Sequence, residues 1–305
     1  MQLVSIADLQ RPAEELEPIL QYANKLGELW LDFVKQDAES YVYTVYDSGE
    51  KDRSSGIHAS EMSKCMLKMV YSIMGVERRV LPETLDANMK LRFRTGTAIH
   101  SMIQTDFERM AVWYNKMYYG RGLALTFQRE LKIRPDLQEA AESWGLNSHC
   151  DGLFTFWRQD RELPPSYGYE WDPFLRIGVE IKTSSDKAYD DRKKPEPDHL
   201  EQTTLYQACL DVPVMWVLYY NKSNSNFSTA YAPWLFKFDK HLWENELEMR
   251  FAKAHHHAET RQMPPRTEGK HCSWCPFAWL CDPQVLKRQQ NNYQPIISPG
   301  MLVRR

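Results

Sequence analysis

Of the six cysteines in this 305-residue chain, four bracket it. Cys65 stands alone near the N-terminus, and Cys272, Cys275 and Cys281 close the far end. The trio lies in the run His271-Cys272-Ser273-Trp274-Cys275-Pro276-Phe277-Ala278-Trp279-Leu280-Cys281. Four thiolates can hold Zn²⁺ or an iron–sulfur cluster. Zinc ligands usually come as two close pairs, whereas here the first thiol stands 207 positions before the second. Ligation of all four would close a loop of about two hundred residues and pin the C-terminal segment against the N-terminal helices. Cys150 and Cys209 sit in apolar surroundings and read as small buried hydrophobes.

Reduced, metal-binding thiols fit the cytoplasm, or the host cytoplasm for a phage-encoded chain. No apolar run approaches the roughly 20 residues needed to span a bilayer, and the start lacks a secretory pattern, so no membrane partner is expected. The formal net charge of −3 argues against a uniformly basic nucleic-acid binder. Charge is nevertheless segregated: residues 1–60 carry five Lys/Arg against eleven Asp/Glu, and residues 61–134 carry thirteen against seven. Arg78, Arg79, Arg92, Arg94 and Arg109 belong to the basic stretch, which suits a local phosphate path as readily as a salt-bridged surface.

Hydrophobic periodicity predicts an amphipathic helix over 12–36, then a polar, glycine-punctuated linker at 47–56. Ser60 is placed to cap a helix carrying Cys65, with Met62, Met66 and Met69 on its core face. Thr95 is placed to cap a helix from Gly96 to Tyr119, with His100 in its second turn. The period then changes: 123–134, 146–157 and 177–183 read as strands, with a polar connection over 167–173. Helix 198–210, strands 212–220 and 230–238, and helix 241–261 follow, the last ended by Pro264-Pro265. Interleaved strands and helices predict an α/β core with a central mixed β-sheet flanked by helices. The expected organisation is a helical region over 1–55, a core over 56–262, and a cysteine segment and tail over 263–305.

Within that core the residues that carry chemistry recur in order. Asp151 and Glu180, on neighbouring strands, can supply two carboxylates to a hard cation such as Mg²⁺ or Mn²⁺, and the Ile181 carbonyl a third oxygen. Side chains alternate along a strand, so Glu180 and Lys182 project from one face, about 7 Å apart, while Ile181 turns inward. A lysine there can orient attacking water or neutralise charge developing on a phosphorane. Gln202 and Tyr206, four apart, share one face of the next helix. Each signal alone is weak: Glu-x-Lys is common, Asp-Gly usually marks a turn, and the His255-His256-His257 run splays around its helix.

Taken together, Gly96-x3-His100, Asp151-Gly152, Glu180-x-Lys182 and Gln202-x3-Tyr206 resemble the RecB-type branch of the PD-(D/E)XK nucleases. That branch includes the nuclease domains of RecB and AddB, CRISPR-adaptation exonucleases and phage exonucleases. The resemblance spans Cys65 to Cys281 and implies a restriction-endonuclease-like core. It implies that His100, Asp151, Glu180 and the Ile181 carbonyl bind the metal. It further implies that Lys182 is catalytic and that Gln202 and Tyr206 support the site. Iron–sulfur members carry one early cysteine and a C-terminal trio, so Cys65, Cys272, Cys275 and Cys281 would hold a [4Fe–4S] cluster, with Zn²⁺ the alternative. The chain departs from the family in placing Met66, not proline or arginine, after Cys65, and in the long connection containing Glu170 and Asp172.

The implied activity is a Mg²⁺- or Mn²⁺-dependent DNA exonuclease acting at ends or on single strands in recombination, repair or phage DNA processing. An endonuclease of the same fold, a non-catalytic DNA-binding iron–sulfur subunit and a cysteine-metal structural or redox module without a nucleic-acid role are the competing readings. Trp113, Tyr114, Tyr118 and Tyr119 could stack bases or pack the core. With no phosphate-binding loop of the Walker type, helicase activity would have to come from a partner.

Overall fold

The computed structural model describes residues 25–34, 36, 56–62, 65–78, 87–118, 121–133, 139–159, 171–184, 195–223, 231–269, 271–272 and 275–281. Helix α1 covers residues 25–34. Then come α2 (Met66–Ile73), α3 (Ala87–Met117), β1 (Leu123–Ile133), α4 (Glu139–Trp144), β2 (Ser148–Gln159) and β3 (Trp171–Ser184). They are followed by α5 (Pro197–Leu210), β4 (Val214–Asn221), β5 (Tyr231–Lys237), α6 (Glu248–Thr260) and α7 (Ala278–Cys281). The outer parts of the helix expected over 12–36, together with Arg79, Tyr119 and Glu170, lie outside the described residues.

The five strands form one sheet in the order β1-β2-β3-β4-β5. β1, β2 and β3 pair antiparallel, β3 and β4 parallel, and β4 and β5 antiparallel. A parallel neighbour cannot follow through a tight turn, so the chain crosses over through α5 between β3 and β4. The chain is α/β, with a mixed sheet flanked by helices, as its alternation of periods requires.

Apolar alternation builds a core on each face. Ile177, Val179 and Ile181 of β3, with Phe154, Phe156 and Trp216, pack against Ile103, Phe107 and Met110 of α3 and Leu26, Trp30 and Phe33 of α1. On the other face Leu153, Met215 and Cys150 meet Leu205, Tyr206 and Cys209 of α5, Met69 and Val70 of α2, and Phe251 and Ala254 of α6. Met62 and Met69 are buried and Met66 is half-buried, but Met62 precedes α2 instead of sharing its face. A π turn over Trp243–Leu247 precedes α6 and buries both of its end residues.

Several local expectations are corrected. Helix α3 begins at Ala87, so Thr95 and Gly96 lie inside it and His100 stands in its fourth turn. The helix formers Met89, Lys90, Leu91, Arg92 and Arg94 carry it through the unfavourable Thr-Gly-Thr run. Cys65, not Ser60, is the N-cap of α2, and it makes no side-chain capping bond. Strand β3 starts at Trp171, placing Asp172 in the sheet, where it pairs with Arg158 at 3.3 Å. Pro173 is tolerated there because the register shifts between Phe156 and Trp157, a bulge that removes a ladder bond proline could not donate. Of the four aromatics that could stack bases, Tyr114 stacks on Tyr118 at 4.4 Å and packs edge-on against Phe156, while Trp113 packs against Phe33. These three belong to the core; Tyr119 is outside the described residues.

Candidate active site

β2 and β3 run antiparallel with Gly152 opposite Val179, so the next step of the ladder sets Asp151 beside Glu180. Asp151 lies near the start of β2 and Glu180 near the end of β3, hence at one end of the sheet. Gly152 is required there: a Cβ would lie 2.3 Å from the Phe127 ring, so Asp-Gly serves close packing in a strand and not a turn. The Asp151 carboxylate is fixed by the Ile181 N–H, which donates to Oδ2 at 2.7 Å, and by His100, whose Nδ1 lies 3.4 Å from Oδ1. His100 reaches in from α3, its side chain 27% exposed, and opens the buried site to solvent.

On the neighbouring strand Lys182 Nζ donates to Glu180 Oε1 at 2.6 Å and to Gln202 Oε1 at 2.8 Å. Gln202 Nε2 donates to Glu180 Oε1 at 3.0 Å and to the Tyr206 hydroxyl at 2.8 Å. Tyr206 in turn donates to the His149 carbonyl at 2.8 Å, tying α5 to β2. The helical face shared by Gln202 and Tyr206 is therefore buried against Glu180 and Lys182 and is not solvated. Ile181 points to the opposite core and is 1% exposed.

The charges are strongly coupled. Burial, and then the Asp151 charge, raise the Glu180 carboxyl from its ordinary 4.5 to about 7. Burial opposes ionisation of Asp151 as well, but the His100 charge and hydrogen bond, with the Ile181 N–H and Lys182, lower its pKa to about 2. Burial lowers the pKa of His100, and attraction to Asp151 and Glu180 outweighs it, so the net shift is upward. The site thus holds two buried acids, of which only Asp151, held by His100, the Ile181 N–H and Lys182, ionises readily. Glu180 Oε2 is buried and, among the described residues, has no hydrogen-bond partner.

Sequence reasoning overlooked Gln104, whose Nε2 donates to the Asp151 carbonyl at 2.8 Å and to Glu130 Oε1 at 3.1 Å. Its place four residues after His100, on the same helix face, was the available signal. It also overlooked Glu196, Asp198 and His199 at the start of α5, whose ligand-type atoms lie within 4.8 Å of one another at the surface.

The cysteines occupy a second site. The C-terminal segment docks on α2, with Phe277 5.5 Å from the Tyr71 ring and the Arg78 guanidinium 5.4 Å over Phe277. Cys65, Cys272, Cys275 and Cys281 thereby line one cavity of about 60 Å³ with Lys68 and Tyr71. Burial first, and then neighbouring thiols, raise Cys275 and Cys281 above the ordinary thiol range. Cys150 and Cys209 lie in the sheet–α5 core, where burial raises both. Among the described residues no helix is long and apolar enough to cross a membrane.

The sequence matches no protein-family profile and no curated protein. Among solved structures the chain is similar to LHK-Exo in complex with dAMP, at 15% identity over 68% of this chain and 90% of that one, with a TM-score of 0.41. It is similar to the alkaline exonuclease LHK-Exo from Laribacter hongkongensis at 12% identity, over 68% of this chain and 90% of that one, with a TM-score of 0.36. It is also similar to a protein named SSO0001 at 12% identity, over 85% of this chain and 96% of that one, with a TM-score of 0.36.

Proposed function

We propose that this protein is a divalent-metal-dependent deoxyribonuclease of restriction-endonuclease-like build, acting as an exonuclease on DNA ends or single strands. The observation that carries the reading is the convergence of His100, Asp151, Glu180 and Lys182 on one end of the sheet. The motif resemblance set out above supplies DNA as the substrate.

The residues fit a hard cation. The donor types are those a hard cation takes: burial makes Glu180 costly to ionise, and among the described residues its Oε2 has no hydrogen-bond partner. His100, Asp151, Glu180 and the Ile181 carbonyl would hold Mg²⁺ or Mn²⁺. Such an ion polarises the scissile phosphate and makes bound water acidic. Its binding requires Glu180 to ionise and His100 to surrender the proton shared with Asp151, so affinity rises with pH. The Ile181 N–H holds Asp151 in place through Oδ2. Lys182, drawn by Glu180 and Gln202, keeps its ammonium at the site to orient water and to offset charge on the phosphate. Gln202 and Tyr206 lock the Glu180 and Lys182 rotamers against α5.

The four thiols lining one cavity suit a metal centre, and the family resemblance, with Cys65 standing 207 positions before the C-terminal trio, favours an iron–sulfur cluster over Zn²⁺. A cavity of about 60 Å³ also exceeds the space one water needs. Cys65, Cys272, Cys275 and Cys281 would therefore hold a [4Fe–4S] cluster that fastens the C-terminal segment to α2.

Anaerobically purified protein is incubated with end-labelled linear DNA, with and without Mn²⁺, alongside Lys182→Ala. Metal-dependent release of nucleotides by the wild type, falling about 100- to 1,000-fold in the variant, is expected. Equal activity of the two proteins would remove the catalytic assignment. Resistance of covalently closed circular DNA separates exonuclease from endonuclease action, and a visible absorption band on the same sample reports the cluster.

A further inference from the structure

Strand β1 changes cores at Glu130. Its odd positions point inward throughout, yet Leu125 and Phe127 enter the core against α3, whereas Leu131 and Ile133 enter the core on the α5 side. A regular strand cannot do this, because successive side chains alternate strictly between two faces. The switch lies in the backbone of one residue: Glu130 has φ +50°, in the left-handed region that a non-glycine seldom adopts. Among the described residues the other two non-glycines in this region, Asp211 and Arg261, end helices, where it is an ordinary cap. Glu130 stands inside a strand.

The switch falls beside the candidate active site. The β1–β2 ladder pairs Arg129 with Gly152 and Leu131 with Cys150, and it is interrupted between them, where Glu130 stands opposite Asp151. Consecutive residues of β1 consequently reach one helix: Arg129 donates to Glu108 and Thr105 of α3, and Glu130 accepts from Gln104 of α3 at 3.1 Å. Gln104 is buried, and its Nε2 also donates to the Asp151 carbonyl at 2.8 Å. An amide nitrogen carries two hydrogens, so these two acceptors fix how the Gln104 side chain is turned. His100 precedes Gln104 by one turn on the same face. Helix α3 thus holds Asp151 twice: at the side chain through His100 Nδ1, 3.4 Å from Oδ1, and at the backbone through Gln104.

We infer that Gln104 is a positioning residue for the metal site, oriented by Glu130, which sets the His100 imidazole and the Asp151 carboxylate in register. The inference rests on the metal-dependent reading above and adds a residue that need touch neither ion nor substrate. The two ligands belong to separate elements, and a coordination shell needs them placed to within about 0.5 Å. Gln104 supplies that constraint, since a slide of α3 along β2 that moved His100 would also break the bond to the Asp151 carbonyl. An extended Glu130 would carry its side chain to the other face of the sheet, away from Gln104. Its left-handed backbone is what delivers the carboxylate to α3, a strained residue placed beside a functional group.

Mn²⁺ binding is followed by the electron paramagnetic resonance of the free ion, with Tm recorded for each protein and titrations run well below the lowest Tm. Gln104→Met, close in volume but without a donor, should weaken binding about 10- to 100-fold, the range for loss of a group that orients a ligand. Glu130→Ala and Glu130→Gly both remove the acceptor, but glycine accepts the positive φ and alanine does not. Glu130→Gly should therefore have the higher Tm, while the two bind Mn²⁺ equally weakly. Glu130→Gln keeps an oxygen for Gln104 and should recover most of the loss. Affinity that follows Tm across the series, or Gln104→Met binding as wild type while Asp151→Asn fails to bind, would overturn the positioning role and leave the metal reading intact. Absence of Mn²⁺ binding by the wild type, or binding undiminished by Asp151→Asn, would overturn both.

Discussion

The buried Glu180 carboxyl makes a prediction about stability that needs no substrate. In the metal-free protein it titrates near 7, against 4.5 ordinarily, because burial and Asp151 oppose its charge. A raised carboxyl makes the folded state bind more protons than the unfolded state between these values. Stability is then greatest below about 4.5, falls as pH rises, and levels off above about 7. At 1.36 kcal/mol per pH unit the whole loss is about 3 kcal/mol, most of which falls between pH 5 and 8. His100, also raised, loses its contribution as pH rises through its folded value and so acts in the same direction. Asp151, lowered from 3.8 to about 2, contributes stability that is complete above 3.8 and constant across this window. Glu180→Gln retains an oxygen to accept from Lys182 and Gln202 but removes the titration. Calorimetry in chelator should show wild-type Tm falling roughly 5 °C more than that of the variant between those pH values, at about 2 °C per kcal/mol for a chain of this size. Mn²⁺ at the upper pH should restore wild-type Tm and leave Glu180→Gln nearly unmoved. Parallel profiles for the two proteins would refute the assignment of a strained acid at the metal position.

Three more outcomes follow from the geometry. Tyr206→Phe removes the bond to the His149 carbonyl and the acceptor of one Gln202 N–H, so denaturant unfolding should report a loss of about 1–3 kcal/mol together with a lower kcat. Gly152→Ala drives a methyl into the Phe127 ring, which Phe107 and Phe154 hold from behind; about 1–3 kcal/mol of destabilisation and a displaced Asp151, read as weaker Mn²⁺ binding, are expected. Cys275→Ser should abolish the visible band and expose the C-terminal segment to limited proteolysis.

Much of this was legible in the residues alone. Periods of two and 3.6 are local consequences of backbone geometry, so the strands around Asp151 and Glu180, helix α5 and the α/β class could be read directly. The shared face of Glu180 and Lys182, with Ile181 inward, follows from the pleat and is found. Boundaries were less legible, because neighbouring helix formers and irregular strand pairing override weak local signals. Thr95 carries the chemistry of a cap, yet the favourable residues before it extend α3 to Ala87. Pro173 reads as loop, yet a bulge admits it to β3.

Only the tertiary structure could decide which separated residues meet. His100 belongs to a helix on one face of the sheet and Gln202 to a helix on the other, and no spacing in the chain states that both reach the end of β3. The same holds for Cys65 and the C-terminal thiols, joined by the docking of Phe277 on Tyr71 and Arg78. Sequence sets local geometry because neighbouring dihedrals and side chains interact directly. Meetings between distant positions, and the burial that raises Glu180 while His100 and the Ile181 N–H hold Asp151 low, arise only once the two cores have closed around the sheet.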